Sequence, residues 1–100
     1  MTYYVDVILP IPVNQKFTYI ISKDEYDFIK PGMRIIVPFG KSKLYTSVSY
    51  ETYDHYESDY ELKSIIQIID DLPVVNKYQL KFWDWVSRYY FTSIGEVMRA

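Results

Sequence analysis

The chain has 100 residues, enough for one compact domain and not for two. With 49% hydrophobic and 24% charged residues and a formal net charge of −2, it is an ordinary folded chain with neither the composition of disorder nor a global positive field. It has no cysteine, which excludes disulfides, thiol nucleophiles, cysteine zinc sites and iron–sulfur clusters at once and fits a reducing, cytoplasmic setting.

Tyr3 to Leu9 is β-branched, aromatic and roughly alternating, which predicts a strand ended by Pro10 and Pro12. Phe17 to Ile21 reads as a second strand, followed by Ser22-Lys23-Asp24-Glu25 as the cap of a short helical turn. Pro31-Gly32 is a turn signal, Met33 to Phe39 a third strand, Gly40 to Lys43 a second turn and Leu44 to Tyr50 a fourth strand. Thr52 to Glu61 is polar, acidic and rich in tyrosine, and reads as a long loop. Leu62 to Ile69, with Ile65, Ile66, Ile68 and Ile69, reads as a fifth strand closed by Asp70-Asp71-Leu72-Pro73. The period then changes. Leu80, Trp83, Val86, Tyr89 and Tyr90 recur at three- and four-residue steps, the mark of one face of an amphipathic helix over 76–91, with Asn76 as its N-cap. Ser93 with Glu96 three residues on reads as the capping box of a second short helix. The expected architecture is α+β: a small, barrel-like β-rich body of five or six short strands over 1–72 with a C-terminal amphipathic helix, all in a single domain over 1–100. No apolar run approaches the ~20 residues that span a bilayer, and residues 1–6 do not form a secretory signal. The end at Val97-Met98-Arg99-Ala100 interrupts a pattern, which suggests a piece of a longer protein.

The bland net charge hides a division. Residues 14–49 hold six basic residues against three acidic ones, a net of +3, whereas residues 50–71 hold seven acidic residues and one lysine, a net of −6. The basic residues are interleaved with Phe17, Tyr19, Phe39 and Tyr45. That pattern suits single-stranded nucleic acid, with charge tracking phosphates and rings stacking on bases. Lysines on solvated turns give the same pattern, so both readings stand. The 12 tyrosines, apolar bodies with polar tips, also suit a binding face.

Catalytic chemistry finds little support. His55 is the single histidine, and Asp54, His55 and Glu57 crowded into one loop make a poor metal site. One histidine without a nucleophile elbow does not make a triad. Asp70-Asp71 before Pro73 reads as a solvated turn rather than an acid–base pair. Phe39-Gly40-Lys41-Ser42 lacks the first glycine and the spacing of a phosphate loop. The series Tyr50, Tyr53, Tyr56, Tyr60 is separated by acidic residues that repel phosphate, which favours a partner-facing or partly buried loop. Trp83 and Trp85 read as core and helix edge.

Several segments together carry a family resemblance. They are Val7 to Val13, Phe17-Thr18-Tyr19, Pro31 to Lys41, Glu61-Leu62-Lys63, Ile69-Asp70 ahead of Pro73-Val74, Trp85 with Tyr89-Tyr90, and Ile94 to Val97. In order and spacing they resemble the N-terminal domain of the primosomal replication-restart helicases, primosomal protein N′, over essentially the whole chain. The resemblance implies a non-catalytic domain that binds the 3′ end of the nascent leading strand at a stalled fork. It implies a small pocket for the terminal nucleotide that largely ignores base identity. By matching motifs, that pocket would use Phe17, Thr18, Tyr19, Gly40 and Lys63, with Lys41 on a basic rim. Phe17 would supply an apolar wall, Gly40 a close backbone approach, and Lys63 a point charge. Family members commonly carry aspartate where this chain has Thr18. A carboxylate only accepts hydrogen bonds, whereas a hydroxyl donates and accepts, so base contacts would differ. The parent protein of such a domain would be an ATP-dependent 3′-to-5′ DNA helicase of the bacterial cytoplasm and nucleoid, using ATP, magnesium and zinc in domains absent here. Its partners would be forked DNA with a free 3′ end, other primosome proteins and single-strand-binding protein, with no membrane. The alternative from a different class is a protein-interaction module that docks a basic partner through the tyrosine-rich acidic segment.

Overall fold

The computed structural model describes residues 2–12, 15–55, 62–89 and 94–99. Among these, five strands form one antiparallel sheet. They are β1 (Tyr3–Ile8), β2 (Phe17–Ile21), β3 (Arg34–Phe39), β4 (Lys43–Tyr53) and β5 (Gln67–Ile68), in the spatial order β2-β1-β4-β3-β5. Three helices accompany them: α1 (Lys23–Phe28), α2 (Lys77–Tyr89) and α3 (Ile94–Arg99).

The strands follow from the period-two placement of apolar side chains. In β1, Val5 and Val7 are fully buried on one face, while Tyr4 and Asp6 point to the other. Val5 pairs with Tyr19 and Asp6 with Thr18 across to β2, so that alternation continues into β2. A register shift between Asp6 and Val7 marks a bulge against β4. One face of the sheet gathers Val5, Val7, Tyr19, Ile21, Ile35, Val37 and Ile65 into the larger core cluster. The other face, at the end of β1, packs Ile8 and Val48 against Leu80 of α2 and Ile94 of α3.

Both helix starts described in full are capped as helical N-termini require. The Ser22 hydroxyl accepts from the Glu25 N–H at 3.1 Å and the Glu25 carboxylate accepts from the Ser22 N–H at 2.8 Å. Asn76 and Gln79 make the same reciprocal pair at 2.9 and 3.1 Å. Ser93, Tyr90 and residues 56–61 lie outside the described residues, so the expectations that fall on them do too.

The structure corrects four expectations. The sheet does not close into a barrel. The fifth strand expected over Leu62 to Ile69 is shortened to Gln67–Ile68, paired with β3, and the residues before it cross over from β2, which they touch at the parallel bridge of Ile20 with Ser64. Its four isoleucines do not alternate. Ile65 enters the core, whereas Ile66 and Ile69 are exposed, which is what a chain passing between two edges requires. Secondly, β4 continues to Tyr53, because Thr52 and Tyr53 still pair with Val5 and Tyr4; the loop expected from Thr52 starts later. Thirdly, α2 lacks the clean apolar face of an amphipathic helix. Leu80 is buried and Trp83 half-buried, but Tyr78, Phe82 and Trp85 are exposed on its outer side, the last two stacked at 6.1 Å. Finally, Asp70 is no solvated turn residue. Its carboxylate takes the Arg34 backbone N–H at 2.9 Å and the Arg34 guanidinium in a two-pronged contact, the shortest leg 2.8 Å, at the end of β3.

Candidate functional site

The gap where the sheet fails to close is a pocket. It measures about 220 Å³ and is lined by Phe17, Thr18 and Tyr19 of β2, Pro38 and Phe39 of β3, Gly40, and Leu62-Lys63. Three chain segments, separated by some 20 residues each, therefore converge because β2 is one border of the sheet, the two-residue β5 leaves the Pro38–Phe39 end of β3 uncovered, and residues 62–69 cross between the two.

Each wall has a local reason. β2 carries its inner ladder with β1, so the backbone groups of alternate residues face outward. Ile20 shows the direction: its N–H donates to the Lys63 carbonyl at 2.9 Å, and its carbonyl accepts from Ile65. Thr18, two residues earlier, turns its N–H and C=O the same way, toward the pocket. Pro38 tolerates its place in β3 because β5 covers only Ile35 and Ile36, so the missing N–H falls on an uncovered edge. Its carbonyl accepts the Tyr19 hydroxyl at 2.7 Å. Tyr19 is buried, and that burial raises its phenol above the ordinary value, which keeps it a hydrogen-bond donor. The bond ties β2 to β3 beneath the pocket.

The aromatic wall is built from both sides. Phe17 meets Phe39 edge-on, with centroids 5.2 Å apart, and Phe39 meets Tyr45 edge-on at 5.7 Å. At the opposite lip, the Lys63 ammonium donates to the Gly40 carbonyl at 2.9 Å. An ammonium carries three donors, so this contact fixes the charge at the pocket mouth and leaves donors for a ligand. Gly40 has φ +72°, the left-handed region that glycine occupies without cost, and a Cβ built there would meet nothing within 4 Å. The backbone at Gly40 is thus bare and faces open space.

Of the residues singled out in the sequence, Phe17, Thr18, Tyr19, Gly40 and Lys63 are brought together. Lys41 is not among the lining residues; it is exposed on the turn that follows Gly40, beside Lys43 at the start of β4. Pro38, Phe39 and Leu62 also line the pocket and were not singled out for it. Phe39 stands next to Gly40 in sequence, but its meeting with Phe17 depends on sheet closure across 22 positions and has no local signal. The basic series divides as well. Lys16 lies against Asp84 at 3.4 Å and over the Tyr50 ring at 4.3 Å, Lys23 pairs with Asp27 and Arg34 with Asp70, so these three charges serve the fold.

Thr18 has a further partner. Its hydroxyl donates to the Asp6 carboxylate at 2.6 Å across the β1–β2 pair, and the Tyr53 hydroxyl donates to the same oxygen at 2.7 Å. Neither Asp6 nor Tyr53 was singled out for the pocket, since nothing in the sequence sets residues 12 to 47 positions apart beside one another.

Comparison with known proteins agrees with the resemblance seen in the sequence. A family model described as the 3′DNA-binding domain matches residues 6–100. The replication restart protein PriA of Haemophilus influenzae is 30% identical over 95 residues, covering 94% of this chain and 13% of that protein. The replication restart protein PriA of Buchnera aphidicola is 32% identical over 95 residues, covering 93% of this chain and 12% of that protein. The chain therefore spans about one eighth of the length of these relatives. With the model matching nearly the whole chain, this protein belongs to the 3′DNA-binding domain family.

Proposed function

We propose that the pocket between β2, the Phe39-Gly40 turn and Lys63 receives the 3′-terminal nucleotide of DNA, with the terminal sugar against Gly40 and Lys63 and the base beside Phe17 and Thr18. The observation that carries this reading is the convergence of Phe17, Thr18, Tyr19, Gly40 and Lys63 around one nucleotide-sized cavity. The chemistry suits an end rather than a continuous strand. The Tyr19–Pro38 bond ties the two walls together, which leaves a small recess rather than a continuous groove. Lys63 offers a positive charge at the mouth, and the bare backbone at Gly40 admits a sugar hydroxyl closely. Lys41 and Lys43 extend the positive rim toward the preceding phosphates.

In this reading the domain marks the 3′ end of the nascent leading strand at a stalled fork and contributes no chemistry of its own. The restart function named for the PriA relatives supports that assignment. ATP-driven 3′-to-5′ unwinding, with its ATP, magnesium and zinc, and contacts to other primosome proteins and single-strand-binding protein belong to the longer protein in the bacterial cytoplasm. Docking of a basic protein through the acidic tyrosine-rich segment is the less favoured reading, because the family match is to a DNA-binding domain.

The test is a binding titration with two oligonucleotides that differ only at the terminus, one with a free 3′-hydroxyl and one with a 3′-phosphate. The free end should bind at least about tenfold tighter, the worth of one or two polar contacts and the removal of a steric block. Lys63→Ala should erase most of that difference. Equal binding of both ends would remove the pocket from the account.

A further inference from the structure

We propose that the Tyr19 hydroxyl makes the pocket selective for an unblocked end: by holding the Pro38 carbonyl it fixes the distance between the two walls, so a terminus carrying a larger 3′ group does not fit. Tyr19 is thus a positioning residue that acts through β3 rather than on the DNA. The inference rests on the end-binding reading and assigns the source of its selectivity.

Alternate residues of a strand turn their carbonyls to the same border. Along the outer border of β3 and the residue just past it, those carbonyls belong to Arg34, Ile36, Pro38 and Gly40, and each has a donor. The first two accept from main-chain N–H groups, Arg34 from Ile69 and Ile36 from Ile66, both at 2.9 Å. The last two accept from side chains, Pro38 from the Tyr19 hydroxyl at 2.7 Å and Gly40 from the Lys63 ammonium at 2.9 Å. The change of donor coincides with the pocket. Residues 63–66 fill the seam between Ile20 of β2 and Ile36 of β3, with the Ile20 N–H donating to the Lys63 carbonyl. Two residues further along each strand, Thr18 and Pro38 line the pocket instead.

At the pocket, then, side chains hold the borders together in place of a main-chain ladder. In the order β2-β1-β4-β3, the strands of Tyr19 and Pro38 stand three steps apart, about 14 Å in a flat sheet. A hydroxyl bonded to a carbonyl across that interval requires the sheet to curl until the two meet, and the bond then keeps it curled. The phenol is suited to this task. Tyr19 is buried in the core cluster with Val5, Val7 and Val37, and its raised titration keeps the hydrogen in place at neutral pH. Phe17 and Phe39 meet across the same interval, but an apolar contact is non-directional and sets no distance as a hydrogen bond does. Lys63 is exposed, so its contact with Gly40 constrains less. Pro38 and Phe39 lie beyond β5 and are paired with β4 alone. They are the part of β3 that can swing outward when the Tyr19 bond is lost.

The 100-residue chain is titrated with oligonucleotides identical but for a 3′-hydroxyl or a 3′-phosphate. Wild type should prefer the hydroxyl end by at least about tenfold. Tyr19→Phe keeps the ring and removes only the bond. The ratio should fall to about threefold or less, and the fall should come from tighter binding of the phosphate end, with the hydroxyl end nearly unchanged. Ile21→Val, a buried neighbour on β2 that leaves the bond in place, should lower the denaturation midpoint and keep the wild-type ratio. A Tyr19→Phe ratio equal to that of wild type overturns the proposal, since the hydroxyl then serves stability alone. A fall caused only by weaker binding of the hydroxyl end also overturns it, since Tyr19 would then touch the DNA itself. If wild type has no preference, the end-binding reading has failed and takes this proposal with it. If wild type prefers the free end and Tyr19→Phe does so equally, only the role of Tyr19 has failed. Should Tyr19→Phe not fold, para-aminophenylalanine in place of Tyr19 supplies a weaker donor at the same point. Its ratio should lie below that of wild type, and an unchanged ratio overturns the proposal.

Discussion

Asp70 exemplifies how single contacts set the frame around the pocket. Its hydrogen bonds from the Arg34 guanidinium, helped by the Arg34 backbone N–H, hold its carboxyl below the ordinary carboxylate value. The sign of the consequence is fixed by linkage. The folded state favours the ionised form more than the unfolded chain does, so the contact stabilises the fold at neutral pH. That contribution disappears as pH falls through the depressed value. The Asp70→Asn variant should therefore unfold at lower urea than the wild type at about pH 7, and the two midpoints should converge toward about pH 3. A gap that stays constant across that range would mean that the ion pair is not what Asp70 contributes. The site residues divide along the same line between fold and function. Tyr19 is mainly a strut, buried and bonded to Pro38, whereas Lys63 and Gly40 present charge and bare backbone outward.

At the scale of elements, the close approach of α3 to the end of β1 leaves no room for a side chain. A Cβ at Gly95 would collide with the carbonyl oxygens of Leu9 and Ile11. Gly95→Ala should push α3 away from Ile8 and Val48 and cost about 1–3 kcal/mol of stability, read from the denaturation midpoint. If α3 did not rest on β1, the substitution would be neutral or slightly stabilising, since alanine favours helix. Elements were legible from sequence where local rules decide them. β2 and the Ser22 capping box are set by residues adjacent in the chain, and both were read directly. The crossing at Leu62 to Ile69 was misread because four isoleucines look like a buried strand, whereas its actual course is set by two distant edges. In α2 the residues of the expected face that are described, Leu80, Trp83 and Val86, are buried or half-buried, whereas Tyr78, Phe82 and Trp85, which lie off that face, are exposed, and periodicity says nothing of aromatics on an outer side. The pocket was legible through family resemblance in five residues. Its supporting residues Phe39, Asp6 and Tyr53 were not, because their contacts to Phe17 and Thr18 exist only once strands are in register.

Over the whole molecule, the net charge of −2 is the sum of opposed regions, and the structure sharpens how they are used. Lys16, Lys23 and Arg34 are engaged with acidic partners of the same chain. Lys41, Lys43 and Lys63 are exposed around the pocket end of the sheet, and in the proposed reading they supply the positive rim that meets DNA. In the proposed reading the open seam of the sheet, which a closed barrel would lack, receives the DNA end. The central claim is that a 3′ end enters that seam, and backbone amide NMR shifts during titration with a short oligonucleotide bearing a free 3′-hydroxyl test it most directly. The account predicts that the amides of Thr18, Tyr19, Gly40 and Lys63 move first and furthest, while those of α2 stay in place. Shifts centred on the exposed aromatic side of α2, with Thr18, Gly40 and Lys63 unmoved, would contradict it.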